Sequence, residues 1–278
     1  MTAPLDPDAR RALTSLMAFW ADAGVGVSFE DAPVDRMAEG RKRLQAPPRP
    51  VAPRGPAPPV QPAGLPGAAI DVSLAVAQAQ AMAAAAGTLQ ALEAAIGDFE
   101  GCGLRYSGAA RAVFSRGRPG APVMIIGEGP GAEEDREGRP FVGRAGKLLD
   151  RMIAAAGLTD QVFITNTVFW RPPGNRTPTP QEQAVCAPFV ERAIVLAKPQ
   201  VLLLAGAASA KSMLKRNEGI LSLRGRWSEW RGEHTDLVVP ALPTLHPAFL
   251  LRQPQAKKKA WMDLLSLAQR LDRPGGSA

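Results

Sequence analysis

Four short apolar runs constrain what this chain can fold into: Val123 to Ile126 (VMII), Val162 to Thr165 (VFIT), Val201 to Leu204 (VLLL) and Leu237 to Val239 (LVV). Each is rich in β-branched or branched aliphatic residues and too short to be a helix, and segments of helical periodicity separate them. Runs that are apolar on both faces need cover on both faces. The pattern predicts an α/β fold in which a four-stranded parallel sheet is flanked by helices through right-handed crossovers. In such sheets the ligand sits beyond the carboxyl ends of the strands.

The rest of the chain reads as an N-terminal extension, helical and Pro-rich. Residues 1–45 hold a short helical segment, with Leu13, Leu16, Met17 and Trp20 on one stripe of residues 8–24. Many of the 27 prolines fall in 46–70, whose APPRPVAPRGPAPPVQPAGLPGA run predicts a disordered, semi-rigid linker. Residues 71–98 are an Ala-rich helical lead-in broken at Gly87 and Gly97, and 99–273 form the folded domain. Two cysteines, Cys102 and Cys186, make neither a disulfide framework nor, alone, a four-cysteine metal site. No apolar run is of bilayer-spanning length and the N-terminus lacks the order of a secretory signal, so a cytoplasmic protein without a membrane partner is expected. The formal charge of +7 favours a polyanionic partner.

The strand ends carry the chemistry. After the first run comes GEGPGAEEDREGRPFVGRAGKLLD (127–150), whose glycines let backbone amides approach a ligand closely. It is neither a dinucleotide fingerprint nor a phosphate loop, because no Gly-Lys-Ser/Thr follows and its carboxylates would repel a phosphate. Asn166 ends the second run ahead of RPPGNRTPTP, and His246 follows the fourth in TLHPAFLLR. Singly, Phe141 reads as a core aromatic, Asn166 as a turn residue, His246 as a structural histidine and the Glu133–Glu134–Asp135 cluster as a solvated helix start. All of them lie in segments that follow apolar runs, the end of the sheet where a ligand is expected.

These strings, together with FITNTVFWRPPGNRTPTPQE and HPAFLLRQPQAKKKAWMDL, resemble the successive motifs of the family 4 uracil-DNA glycosylases over about residues 99 to 271. The resemblance implies a uracil-DNA glycosylase fold and hydrolysis of the N-glycosidic bond of deoxyuridine in DNA, the start of base-excision repair. It aligns Phe141 with the aromatic that stacks on the flipped base, Asn166 with the amide that reads its edge, and His246 with the histidine beside its O2. Gly127 and Gly129 bring backbone to the base, and Glu128 and Glu134 match glutamates of the first motif.

The chemistry suits these residues. A uracil must be extruded from the duplex and held in a pocket. One amide can donate to its O4 and accept from its N3–H, a pattern that cytosine reverses, provided that neighbours lock the amide. A neutral His246 donating to O2 stabilises the anion that departs. Gly129 stands where the best-known enzymes of this fold carry an aspartate, which leaves Glu128 or Glu134 to orient the water. DNA contacts are expected from Arg139, Arg144, Lys147, Arg171, Arg176, Arg252 and Lys257 to Lys259, with Phe249, Leu250 and Leu251 as a wedge in the minor groove. The bland alternative is that these three begin the last helix, ending near Trp261 and Leu264.

The family binds a four-iron, four-sulfur cluster through four cysteines. Here Cys102 and Cys186 align with two of them, while Phe99 and Trp170 replace the others and cannot ligate iron. No cofactor is therefore expected, with Phe99 and Trp170 filling the cluster's volume as an apolar plug. Uracil-containing DNA is the expected partner of a monomer, and the N-terminal segment reads as a dispensable tail first and as a tether to another repair protein second. A non-catalytic DNA-damage-binding protein that kept the base pocket is the alternative; a nucleotide hydrolase is opposed by the missing phosphate loop.

Overall fold

The computed structural model describes Asp6 and residues 71–272; the amphipathic stripe at 8–24 and the Pro-rich run at 46–70 lie outside the described residues. The chain divides into two units, Met1–Gly64 and Leu65–Ala278, and every element below belongs to the second.

Six strands form one sheet in the order β1-β3-β2-β4-β6-β5. They are β1 (Arg116–Gly117), β2 (Val123–Gly127), β3 (Val162–Asn166), β4 (Val201–Ala205), β5 (Ser228–Arg231) and β6 (Val238–Thr244). The inner four run parallel, as expected, with Gly127 opposite Asn166 across β2 and β3. Every residue of β2, β3 and β4 is buried, the outcome that two-faced apolar runs require. The antiparallel edge strands β1 and β5 were not foreseen: one has two residues and the other is the polar run SEWR. The last parallel strand also outruns the Leu237–Val239 expectation, because it carries Pro240 and Pro243, residues that read as breakers.

Nine helices accompany the sheet among the described residues: α1 (Val72–Ala85), α2 (Leu89–Asp98), α3 (Ala132–Glu137), α4 (Arg144–Ala155), α5 (Pro180–Ala197), α6 (Ala207–Leu214), α7 (Ile220–Leu223), α8 (Pro247–Arg252) and α9 (Lys257–Asp272). Strand alternation divides the core. Met124 and Ile126 face a cluster with Phe99, Phe114, Phe163 and Phe189, whereas Val123 and Ile125 face Leu149 and Ile153 of α4 and Leu264 and Leu267 of α9.

The Ala-rich lead-in is part of the first cluster. Asp71 caps α1 by accepting the Ser73 amide at 2.9 Å, and Thr88 caps α2 through the Ala91 amide. Ala75, Ala79 and Ala83, four residues apart, form a stripe of small residues that lets α1 lie close on α5. Arg192 of α5 donates to the Ala86 carbonyl at 2.9 Å. The end of α9 also departs from expectation, at Asp272 rather than near Leu264, and Phe249 to Leu251 belong to the separate short helix α8.

A buried trio anchors the carboxyl end of β6. The Asp263 carboxylate, 1 % exposed, pairs with Arg224 and accepts from the Thr244 hydroxyl at 2.7 Å, while Arg224 also donates to the Lys259 carbonyl. Removing the anion would strand a largely buried guanidinium. Asp263→Ala is expected to lower unfolding free energy in urea by about 3 kcal/mol; a loss under about 1 kcal/mol would show that the trio contributes little.

Candidate functional site

Strand order sets the position of the cleft. β2 leads to β3 on one side and β4 leads to β6 on the other, so the crevice opens at the carboxyl ends between β2 and β4. A cleft of about 610 Å³ lies there, walled by Glu128 and Gly129 after β2, Asn166 ending β3, Gly206 after β4, and Leu245 and His246 after β6. Glu134, Phe141, Phe249 and Arg252 complete its sides. Of the expected base-binding and catalytic residues, Gly127 alone is not in the wall, and it lies just beneath it. A Cβ on Gly127 would fall 2.4 Å from Asn166 Oδ1 and 2.5 Å from the Phe141 ring, so only glycine lets those two groups close over the strand end.

Asn166 is 1 % exposed, its amide reaches the cleft surface, and no side-chain hydrogen bond joins that amide to another described residue. Donor and acceptor are both available to a ligand in the cleft, while packing between Gly127 and Phe141 restricts their rotation. Beside them the Phe141 and His246 rings stand nearly parallel, inclined by 30° with centroids 5.6 Å apart. That separation is offset stacking rather than face-to-face contact.

His246 caps α8: its Nδ1 accepts from the Ala248 amide at 3.1 Å. With Nδ1 accepting, a neutral ring carries its proton on Nε2 and presents a donor. The ring is neutral. Burial in the cleft wall, aided by the Arg252 charge and opposed by Glu134, lowers its pKa to about 4. Gly206 fixes the ring from behind, since a Cβ there would lie 2.9 Å from His246 Cβ, and its amide bonds the Thr244 carbonyl at 2.9 Å. Sequence reading missed Gly206, although the rule that ligands sit beyond strand ends points straight at the LAGAAS that follows the third parallel strand.

The two glutamates have different surroundings. Glu134 accepts from three backbone amides, those of Gly131 at 3.1 Å, Val142 at 3.0 Å and Gly143 at 2.9 Å. It closes the first turn of α3 and ties down the loop bearing Phe141. The Glu128 carboxylate lines the cleft and has no hydrogen-bond or ion-pair partner among the described residues; only its backbone carbonyl is engaged, by Thr167.

The expected DNA contacts do not all reach the cleft. Arg252 and Arg176 line it, but Arg176 is held bidentately by Glu182 at 2.6 and 2.8 Å. Arg171 bonds Asn175, and Arg139 leans on Glu137. Arg144 and Lys147 of α4, and Lys257 to Lys259 of α9, are exposed outside it. The wedge expectation changes: Leu250 is fully buried against Leu245 and Ala260, because α8 turns it inward, whereas Leu251 is 38 % exposed and Phe249 half-buried at the cleft.

Away from the cleft, Cys102 and Cys186 are buried thiols that share a hydrogen bond. Around them Phe99 packs against Phe189 at 5.1 Å and Trp170 at 6.5 Å between centroids. A four-iron cluster needs four thiolates. Two thiols in an aromatic packing do not fit it, and among the described residues no three His, Cys, Asp or Glu gather as metal ligands.

Comparison with known proteins places this architecture. Residues 114–265 match the profile of the Uracil DNA glycosylase superfamily, and the chain belongs to that family. It is 42 % identical over 153 residues to a Type-4 uracil-DNA glycosylase of Sulfurisphaera tokodaii, covering 53 % of this chain and 69 % of the relative. The Type-4 uracil-DNA glycosylase of Thermotoga maritima is 40 % identical over 142 residues, 50 % of this chain and 71 % of its own. That of Pyrobaculum aerophilum is 39 % identical over 158 residues, 55 % of this chain and 80 % of its own.

A histidine held neutral in the fold leaves a pH signature. Between pH 6.5 and about 4 the unfolded chain binds a proton at His246 that the folded chain refuses, so stability rises with pH across that window. Urea midpoints at pH 4.5 and 7 are expected to lie closer together in His246→Gln than in the unaltered protein; an unchanged difference would place the histidine's pKa near its ordinary value.

Proposed function

We propose that the protein is a uracil-DNA glycosylase, acting in the cytosol as a monomer on DNA that carries deoxyuridine. The observation that carries the reading is the convergence of an unbonded Asn166 amide, the Phe141 ring and the neutral His246 ring on one cleft at the strand ends. A pyrimidine turned out of the helix lays one face on Phe141, which replaces part of the lost stacking. Asn166 donates to O4 and accepts from N3–H, and its confinement by Gly127 and Phe141 supports discrimination against cytosine.

Scission of the bond between C1′ and N1 leaves its electron pair on uracil, where the charge gathers on O2, and a cationic sugar behind. His246 Nε2–H donates to that O2 without giving up its proton. Its low pKa suits this role, because a neutral donor holds the anion while remaining a donor. Water then adds to C1′, and the proton it loses passes by way of the Glu128 carboxylate and solvent to N1 of the departed anion, which leaves as neutral uracil. We assign the orientation of that water, and stabilisation of the sugar cation, to Glu128, whose carboxylate is free at the cleft; Glu134 positions the Phe141 loop instead. Arg144, Lys147, Arg252 and Lys257 neutralise phosphates, and Leu251 takes the wedge position. The ring packing of Phe99, Trp170 and Phe189 supports a domain that holds no iron–sulfur cluster.

Incubation with a uracil-containing oligonucleotide followed by alkali is expected to cleave the strand at the uracil. Asn166→Ala and His246→Ala should each slow excision by about 100-fold or more, the scale of losing one oxyanion donor. Binding of uracil-containing DNA without cleavage by the unaltered protein would instead make it a damage-binding protein.

Iron analysis of anaerobically purified protein is expected to find essentially none. About four irons per chain, the content of one complete cluster, would overturn the cluster-free reading.

A further inference from the structure

Phe141 stands in the left-handed backbone region, with φ of 55°. An aromatic residue does not rest there unaided; the conformation costs about 1–2 kcal/mol. The orientation of the two peptide planes that flank its Cα sets its φ and ψ, and both planes are gripped. Arg116 donates from Nε to the Pro140 carbonyl at 2.7 Å and from Nη2 to the Phe141 carbonyl at 3.1 Å. The second of those planes is also held at its other end, where the Val142 amide donates to Glu134. Arg116 comes from β1, the two-residue edge strand, which places it opposite Ile164 of β3, two residues before Asn166. Its guanidinium is mostly covered, and Nη2 also meets Asp150 of α4 at 2.7 Å.

We infer that Arg116 is a positioning residue of the base cleft: its planar fork fixes the two carbonyls that define the Phe141 backbone, and so sets the angle at which the ring meets a pyrimidine. The inference rests on the proposed stacking role of Phe141. A guanidinium suits the task because its donors are coplanar and pre-organised, so two acceptors on adjacent peptides are met without further ordering. The Asp150 carboxylate, half exposed, occupies a remaining donor direction and is not needed for the grip.

Stacking acts on the bound base both before and during bond breaking, so its loss falls on affinity more than on turnover. The test measures the inhibition constant of free uracil, with KM and kcat on a uracil-containing oligonucleotide. Arg116→Ala is expected to raise the uracil constant and KM by about tenfold, the scale of one base–aromatic stack, with kcat changed less than about threefold. The double variant Arg116→Ala/Phe141→Ala should be no worse than Phe141→Ala alone, and Asp150→Ala should match the unaltered protein within about twofold. Arg116→Gln, which keeps a single fork of donors, is measured alongside and should fall between. The inference is overturned if neither Arg116 variant raises the uracil constant, if the Arg116 and Phe141 effects multiply, or if Asp150→Ala reproduces the loss. Should Phe141→Ala itself leave the uracil constant unchanged, the stacking reading of the cleft fails, an outcome separate from additivity at Arg116.

Discussion

At the end of β2 the backbone of Gly127 passes beneath two side chains that arrive from different loops, and the absence of a methyl group there is the space they share. The parallel register puts Gly127 opposite Asn166, so the amide is delivered by β3 itself and needs no loop of its own. Phe141 comes from the far side of α3 and must close over the same point. Its left-handed backbone, the Glu134 tie and the Arg116 fork are consequences of that closure. A cleft built around a contact with no slack allows its lining groups little freedom, the condition that the proposed reading of a pyrimidine edge by Asn166 requires.

Electrostatics is arranged to match. Several of the basic side chains are spent on the protein: Arg116 on Asp150, Arg176 on Glu182, Arg224 on Asp263. Arg144, Lys147, Arg252 and Lys257 to Lys259 have no ion-pair partner among the described residues, and Arg252 stands in the cleft wall itself. Unpaired cations at and beside the cleft are what the proposed contacts with phosphates would use. The same Arg252 helps keep His246 neutral.

Sequence legibility followed physical cause. β2, β3 and β4 were readable because a strand covered on both sides must be apolar throughout, whereas β1 and β5, short and polar at the sheet edges, leave no periodic trace. β6 was half readable, since its prolines conceal a strand that pairing with β4 and β5 nonetheless completes. In the site, Phe141, Asn166 and His246 were found by motif, and the structure brings them together. The division between Glu128 and Glu134 was not readable, because it depends on which amides each carboxylate meets in space. Leu250 and Leu251 are neighbours in sequence with opposite fates, decided by how α8 is rotated against α9. Arg116 had no local pattern to betray it; its partners lie 24 to 34 residues away.

The alanine stripe of α1 has a bearing on how the protein is made. Its anchor on α5, the bond from Arg192 to Ala86, spans 106 residues. On a ribosome extending the chain at about 5–20 residues per second, the helix would emerge roughly 5–20 s before the surface that covers it. Contacts of such separation close late and slow the search for the native topology. A stripe of alanines exposes little to neighbouring chains during that wait, which a stripe of leucines would not.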